Sequence, residues 1–215
     1  MSVLASVSLW SADMANFESE IARADPFADM YHIDVCDGRY AANLLFFPDL
    51  VAALRPKTAK PFEVHLITYE PEKWVGPFTA AGANSFIFYP DSTENVGALI
   101  REISGRGLGV GLSISLEQPV SLIEEHLGKL NVVTVIGTES GIKGVQAVAP
   151  VAFEKIRDLV RLREDRGHHF KIQADGAIRW ETVPPLAEAG AEVVVPGSLF
   201  FKEDMAKVSE WLKGL

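Results

Sequence analysis

"MYHIDVC" at residues 30–36, closed by "DGRY" at 37–40, reads as a strand that has no solvent face. Side chains alternate along a strand, so Tyr31, Ile33 and Val35 lie on one side and His32, Asp34 and Cys36 on the other. The first set is apolar and needs a packing partner. The second carries an imidazole and a carboxylate two residues apart, inside a segment that otherwise looks buried. Asp37-Gly38 supplies the residue types of a turn leaving the strand.

Outward from this stretch, short apolar runs recur. "VLASVSLW" (3–10) precedes it, and "FEVHLIT" (62–68), "SFIFY" (85–89), "LGVGLSI" (108–114), "NVVTVIG" (131–137), "FKIQAD" (170–175) and "EVVVPG" (192–197) follow, making eight candidate strands. The segments between them carry helical patterns. These are "FESEIARA" (17–24), "PDLVAALR" (48–55), "PEKWVGPFTAAG" (71–82) and "NVGALIREISGRG" (95–107) in the first half. "PVSLIEEHLGKL" (119–130), "PVAFEKIRDLVRLREDRG" (150–167), "WETVPPLAEAG" (180–190) and "KEDMAKVSEWLKG" (202–214) complete the set. Several end at glycine, as helices often do.

Strict alternation of strand and helix implies parallel strands, because each return needs a crossover. Eight units in 215 residues are expected to close as a single (β/α)₈ TIM barrel spanning residues 1–215. An open doubly wound sheet would carry a glycine-rich phosphate loop after its first strand. Here that turn is "WSADMANF" (10–17), without glycine.

The formal charge is −9 with acids and bases interspersed, so no basic stripe for nucleic acid or an anionic membrane is visible. An anionic substrate would be opposed by the overall field and must be held by local donors. The single cysteine, Cys36, forbids an intramolecular disulfide and fits a reducing compartment. No stretch reaches membrane-spanning length, and the N-terminus is a poor signal peptide, so a cytoplasmic location is expected.

Barrel enzymes place chemistry at the C-terminal ends of strands. Ser8, His32, Asp34, His65 and Asp175 all fall there. Taken singly, a strand histidine is more often a satisfied core residue, and Asp175-Gly176 is also an ordinary turn pair. Together, two histidines and two carboxylates in one barrel mouth would each cost several kcal/mol if charged and unpaired. A divalent metal removes that cost, and His32, Asp34, His65 and Asp175 suit Zn²⁺, with Fe²⁺, Mn²⁺ or Co²⁺ as alternatives. Carboxylates from the second and seventh strands would face opposite sides of a bound substrate. One can take a proton and the other return one, inverting a stereocentre through a metal-stabilised enediolate. "DGAI" (175–178), "VVVPGSLF" (193–200) and "SGIKG" (140–144) bring glycines to positions where barrels commonly hold phosphate, although glycine after a strand is also just a turn.

"SLWSAD" (8–13), "HIDVCDG" (32–38), "FEVHL" (62–66), "QADGAI" (173–178) and "VVPGSLFF" (194–201) resemble, in order and spacing, the ribulose-phosphate 3-epimerase family. The resemblance implies a (β/α)₈ barrel that interconverts ketose phosphates by 1,1-proton transfer. His32, Asp34, His65 and Asp175 then match metal ligands, and Asp34 and Asp175 match the acid/base pair. Ser8 matches a substrate-contacting serine, Gly176, Ala177, Gly197 and Ser198 match the phosphate-holding turns, and Gly144 matches a further phosphate contact. Cys36 and Ile67 stand where the family usually has methionine, and Tyr89 lies near a position that is commonly histidine. The loop "GTESGIKGVQ" (137–146) departs most, and its Glu139 and Lys143 read either as recognition groups for a different sugar or as solvated charges.

The expected activity is a metal-dependent epimerase of a pentulose or hexulose phosphate. A metal-enediolate lyase or decarboxylase, or a non-catalytic phosphosugar-binding barrel, are the alternatives. The expected partners are a sugar phosphate and further copies of the chain, with exposed Phe46, Phe47 and Trp74 as candidate contacts.

Overall fold

The structure is a computed structural model and describes residues 2–139 and 146–215. All eight expected strands form. They are β1 (Leu4–Ser8), β2 (Met30–Asp37), β4 (Phe62–Ile67), β5 (Ser85–Phe88), β6 (Gly109–Ile114), β7 (Val132–Ile136), β8 (Lys171–Asp175) and β9 (Val193–Val195). Each pairs in parallel with its neighbours, and β1 pairs with both β2 and β9, which closes the sheet into a (β/α)₈ TIM barrel. A two-residue strand, β3 (Leu44–Leu45), returns antiparallel against Cys36 and Asp37 at the end of β2. Nothing in the alternation pattern announced it, because the pairing is made by a loop folding back.

Register fixes what meets at the rim. Ser8 is level with His32 across β1 and β2, and Asp34 is level with His65 across β2 and β4. The outward faces carry the apolar set, and Tyr31, Ile33, Phe62, Val64, Phe86 and Phe88 are fully buried against the surrounding helices. Burying each such side chain contributes roughly 1.5–3 kcal/mol relative to exposure. The barrel lumen is different. Ser6, His32, Glu63, His65, Ser113, Thr134 and Gln173 are all buried, so its middle layer is polar.

The helices are α1 (Phe17–Ala24), α2 (Pro48–Leu54), α3 (Glu72–Ala80), α4 (Val96–Gly105), α5 (Pro150–Arg166), α6 (Val183–Ala189), α7 (Ser198–Lys202) and α8 (Met205–Lys213). Gly167 ends α5 in the left-handed region, at φ 63°, as its place after the last helical residue implies. One expected helix does not form: residues 119–130 make two 3₁₀ turns, Val120–Ile123 and Leu127–Lys129. The buried residues Val120 and Ile123, and then Leu127 and Leu130, repeat every three positions, which suits i→i+3 bonding. Gly128 further weakens an α-helix there by about 1 kcal/mol relative to alanine. The expected final helix forms as α8, starting at Met205 because Asp204 caps it by accepting from the amides of Ala206 and Lys207, and α7 is a short additional helix ahead of it. Of the apolar residues expected at the surface, Phe47 and Trp74 are exposed but Phe46 is buried. Among the described residues no helix is long and apolar enough to cross a membrane.

Candidate metal and acid/base site

His32 and Asp34 sit on β2, His65 on β4 and Asp175 at the end of β8, and their ligand atoms lie within 4.8 Å of one another. The His32 Nε2 atom is 3.3 Å from Asp34 Oδ1 and 4.0 Å from Asp175 Oδ2. His65 Nδ1 is 3.8 Å from Asp34 Oδ1 and 3.9 Å from Asp175 Oδ2. The two ring nitrogens are 3.2 Å apart.

The outer nitrogen of each ring has its own partner. His32 Nδ1 lies 2.8 Å from Glu63 Oε1, and His65 Nε2 lies 3.1 Å from Ser113 Oγ. A proton on Nδ1 of His32 satisfies the Glu63 carboxylate and turns the Nε2 lone pair inward. Placing the His65 proton on Nε2, toward the serine oxygen, does the same for its Nδ1. Tautomers are assigned by such bonds. Glu63 Oε1 also accepts from Ser6 Oγ at 2.9 Å and Gln173 Nε2 at 3.0 Å. Ser8 Oγ donates to Asp34 Oδ2 at 2.7 Å, leaving Oδ1 for the cluster.

These donors fit a divalent cation. Ligands at about 2.0–2.2 Å around tetrahedral zinc are separated by roughly 3.3–3.6 Å, which lies within the spread of donor distances found here. Two inward imidazole lone pairs and two carboxylates are also the donor types that bind Zn²⁺, Fe²⁺, Mn²⁺ and Co²⁺. Outer partners such as Glu63 orient such ligands and raise their basicity.

Electrostatics separates the two aspartates. Burial would raise Asp34, yet the charges and hydrogen bonds of His32 and His65 hold it well below the usual carboxylate range. Burial raises Asp175, opposed by His32 and His65 and reinforced by the neighbouring Asp34 charge. Burial disfavours charge on His32, but Asp34 and Glu63 beside it push its pKa well above the ordinary imidazole value.

Above the cluster lies a cavity of about 160 Å³ whose wall includes Ser8, Asp34, His65, Asp175 and the two glycine turns. Gly176 and Ala177 both take positive φ, 94° and 54°, which bends the chain sharply after β8. A Cβ on Gly176 would meet Thr138 Oγ1, and one on Gly197 would meet Ser11 Oγ, so both turns are crowded, and the positive φ of Gly176 favours glycine there in addition. The amides of Ala177, Gly197 and Ser198 donate to no acceptor among the described residues. Glu139 also lines the cavity, whereas Lys143 and Gly144 lie outside the described residues.

Tyr89 stacks on the His65 ring with centroids 5.4 Å apart and an interplanar angle of 26°. Cys36 is not among the clustered ligands, and burial pushes its thiol up to about 12, so it is a neutral core residue. Asp37 stands apart from the cluster and organises the turn after β2, where it accepts from the amides of Arg39, Tyr40 and Tyr69 at 2.8, 2.8 and 3.0 Å. Sequence reasoning missed Glu63, Ser113 and Gln173. Glu63 had a signal, because it precedes His65 by two residues and must share its face.

Solved structures share the architecture. A 3-hexulose-6-phosphate synthase aligns over 100% of this chain and 99% of that chain, with TM-score 0.69 and 14% identity. A mutant tryptophan synthase alpha-subunit from Pyrococcus furiosus covers 99% and 95%, with TM-score 0.66 and 16% identity. At these identities the likeness speaks for the fold alone. Sequence relatives are nearer. A ribulose-phosphate 3-epimerase from Treponema pallidum is 35% identical over 90% of this chain and 89% of its own length. One from Bacillus subtilis is 31% identical over 96% of both, and one from Escherichia coli is 30% identical over 96% and 92%. The ribulose-phosphate 3 epimerase family model matches residues 4–201, and this chain belongs to that family.

Proposed function

We propose that this chain is a metal-dependent epimerase of a ketose phosphate, a pentulose or hexulose phosphate, and that it works by 1,1-proton transfer between Asp34 and Asp175. The observation that carries the reading is the convergence of both carboxylates and both imidazoles beneath one cavity. His32, Asp34, His65 and Asp175 would hold the cation, Zn²⁺ in the first instance. When bound, it would polarise the carbonyl beside the reacting carbon and stabilise charge developing on that oxygen. Fe²⁺, Mn²⁺ and Co²⁺ suit the same donors.

The protein's own groups do the rest. The carboxylates approach from β2 and β8, so one removes the proton on one face and the other delivers a proton to the opposite face. In the metal-free cluster the two histidines lower Asp34 while burial raises Asp175, so the two carboxylates are not equivalent, and their roles exchange with reaction direction. Ser8 orients Asp34 and, as a residue of the cavity wall, would contact substrate. The free amides of Ala177, Gly197 and Ser198, together with the Gly176 turn, receive the phosphate, and Gly144 is assigned the same role. Residues 1–215 would act as one barrel domain in a reducing, cytoplasmic compartment. Phe47 and Trp74 border an apolar groove of about 690 Å³, for which we infer a second copy of the chain as partner.

The test is incubation with a panel of pentulose and hexulose phosphates in D₂O, using metal-stripped and metal-restored protein. An epimer labelled with deuterium at the inverted carbon is expected, and only with metal. Fragments of the sugar would establish a lyase, and activity indifferent to chelation would remove the metal from the scheme. Sedimentation velocity measures the assembly.

A further inference from the structure

We propose that Arg179 is the charged anchor for the anionic end of the substrate and sets the preference of this site for a phosphorylated over a neutral ketose. The inference rests on the site being a ketose-phosphate site, and it deepens that reading by naming what supplies the charge.

The cavity wall carries three carboxylates, Asp34, Glu139 and Asp175, in a chain of net charge −9. A divalent cation held by Asp34 and Asp175 would offset those two charges, which leaves Glu139 and the negative charge of the whole chain to oppose a phosphate, and uncharged backbone amides offset that only in part. Among the described lining residues Arg179 is the one Lys or Arg.

Its side chain is also uncommitted. Three described arginines are partly buried: Arg55, Arg163 and Arg179. The Arg55 guanidinium donates to the carbonyls of Thr58 and Lys60, at 2.6 and 2.7 Å. Arg163 donates to the Phe170 carbonyl at 3.0 Å and pairs with Glu192. The Arg179 guanidinium has no hydrogen bond or ion pair among the described residues. A partly buried arginine that lines a cavity and whose guanidinium donors are unused among the described residues is suited to an oxyanion.

The backbone beneath it is fixed. The Arg179 amide donates to Thr182 Oγ1 at 2.9 Å, and that hydroxyl donates to the Ala177 carbonyl at 2.7 Å. The Arg179 carbonyl accepts from the amides of Thr182 and Val183, at 3.2 and 3.1 Å. Residues 177–183 therefore form one hydrogen-bonded turn that holds Arg179 next to the free Ala177 amide. Its neighbours in the cavity wall, Gly197 and Ser198, bring the other free amides.

The experiment compares wild type, Arg179→Gln, Arg179→Lys and, as a surface control, Arg157→Gln. Inorganic phosphate binding is measured by calorimetry, and kcat and KM are measured on whichever ketose phosphate wild type turns over. Arg179→Gln is expected to raise the phosphate Kd and the substrate KM about 10- to 100-fold, the range of a lost charge-assisted pair. Its kcat should stay within about threefold, because the reacting carbon is untouched. Arg179→Lys should recover part of the loss, and Arg157→Gln should match wild type. Wild-type phosphate affinity in Arg179→Gln, or no phosphate binding by wild type, overturns the proposal. If wild type binds phosphate through Arg179 but converts no ketose phosphate, the anchor stands and the assigned activity falls.

Discussion

Strand β2 borders two cavities. Toward the barrel mouth it presents Asp34 to a cavity of about 160 Å³, and toward the outside its Val35–Asp37 end lines a groove of about 690 Å³. The groove is several times larger, yet it is walled by Met14, Phe17, Leu44, Phe47, Trp74 and Phe78. Its one carboxylate, Asp37, is already occupied by three backbone amides. The smaller cavity has the convergent lone pairs, the carboxylates with separated pKa values and the unpaired amides. Capacity for chemistry here follows from donors lacking protein partners, and volume is a poor guide to it.

That contrast is broken most directly by removing charge from one side and then the other. Asp34→Asn and Asp175→Asn are each expected to lower kcat about 10²–10⁴-fold, the usual contribution of a positioned acid or base, with the circular dichroism spectrum unchanged. Normal turnover in either variant would end the two-carboxylate scheme. Next in size is Glu63→Gln, which weakens the charged partner of His32 without touching the substrate cavity. Divalent-metal affinity, measured by chelator competition, should fall about 10- to 100-fold. An unchanged affinity would show that His32 needs no such partner.

Beyond the cluster, at the last two residues of the strand, the effects are structural. Asp37→Ala should cost about 1–2 kcal/mol in urea unfolding, from three lost acceptor bonds at a partly exposed site. Its kcat should match wild type, in contrast with Asp34, three residues away. The smallest effect concerns Cys36. Only a thiolate alkylates, and a thiol raised to about 12 stays protonated at pH 8, so iodoacetamide should label it at the rate of unfolding. Fast labelling of native protein at pH 8 would place a reactive thiolate beside the site.

The strands and the four clustered side chains were legible because each is an exception to its surroundings. His32, Asp34, His65 and Asp175 interrupt apolar, β-branched runs, and an interruption at a strand's C-terminal end is visible without coordinates. Ser113 and Gln173 were not legible, because their roles depend on which strands adjoin and in what register. Ser113 meets His65 across 48 positions of sequence, and Gln173 meets Glu63 across 110. The 119–130 segment reads as a helix because its apolar spacing of three sits close to the helical 3.6, and Gly128 inside it disfavours the α-helix. Arg179 adjoins a recognised turn, but its unpaired state is visible only when the other partly buried arginines are seen to be engaged.

One oxygen, Glu63 Oε1, takes bonds from Ser6 on β1, His32 on β2 and Gln173 on β8 while its own backbone belongs to β4. Backbone ladders tie each stave of a cylinder only to the stave beside it; this atom reaches across the hollow and works as an internal hoop. Slow amide exchange should therefore persist longest in those four staves and be lost from all of them together once the hoop is cut.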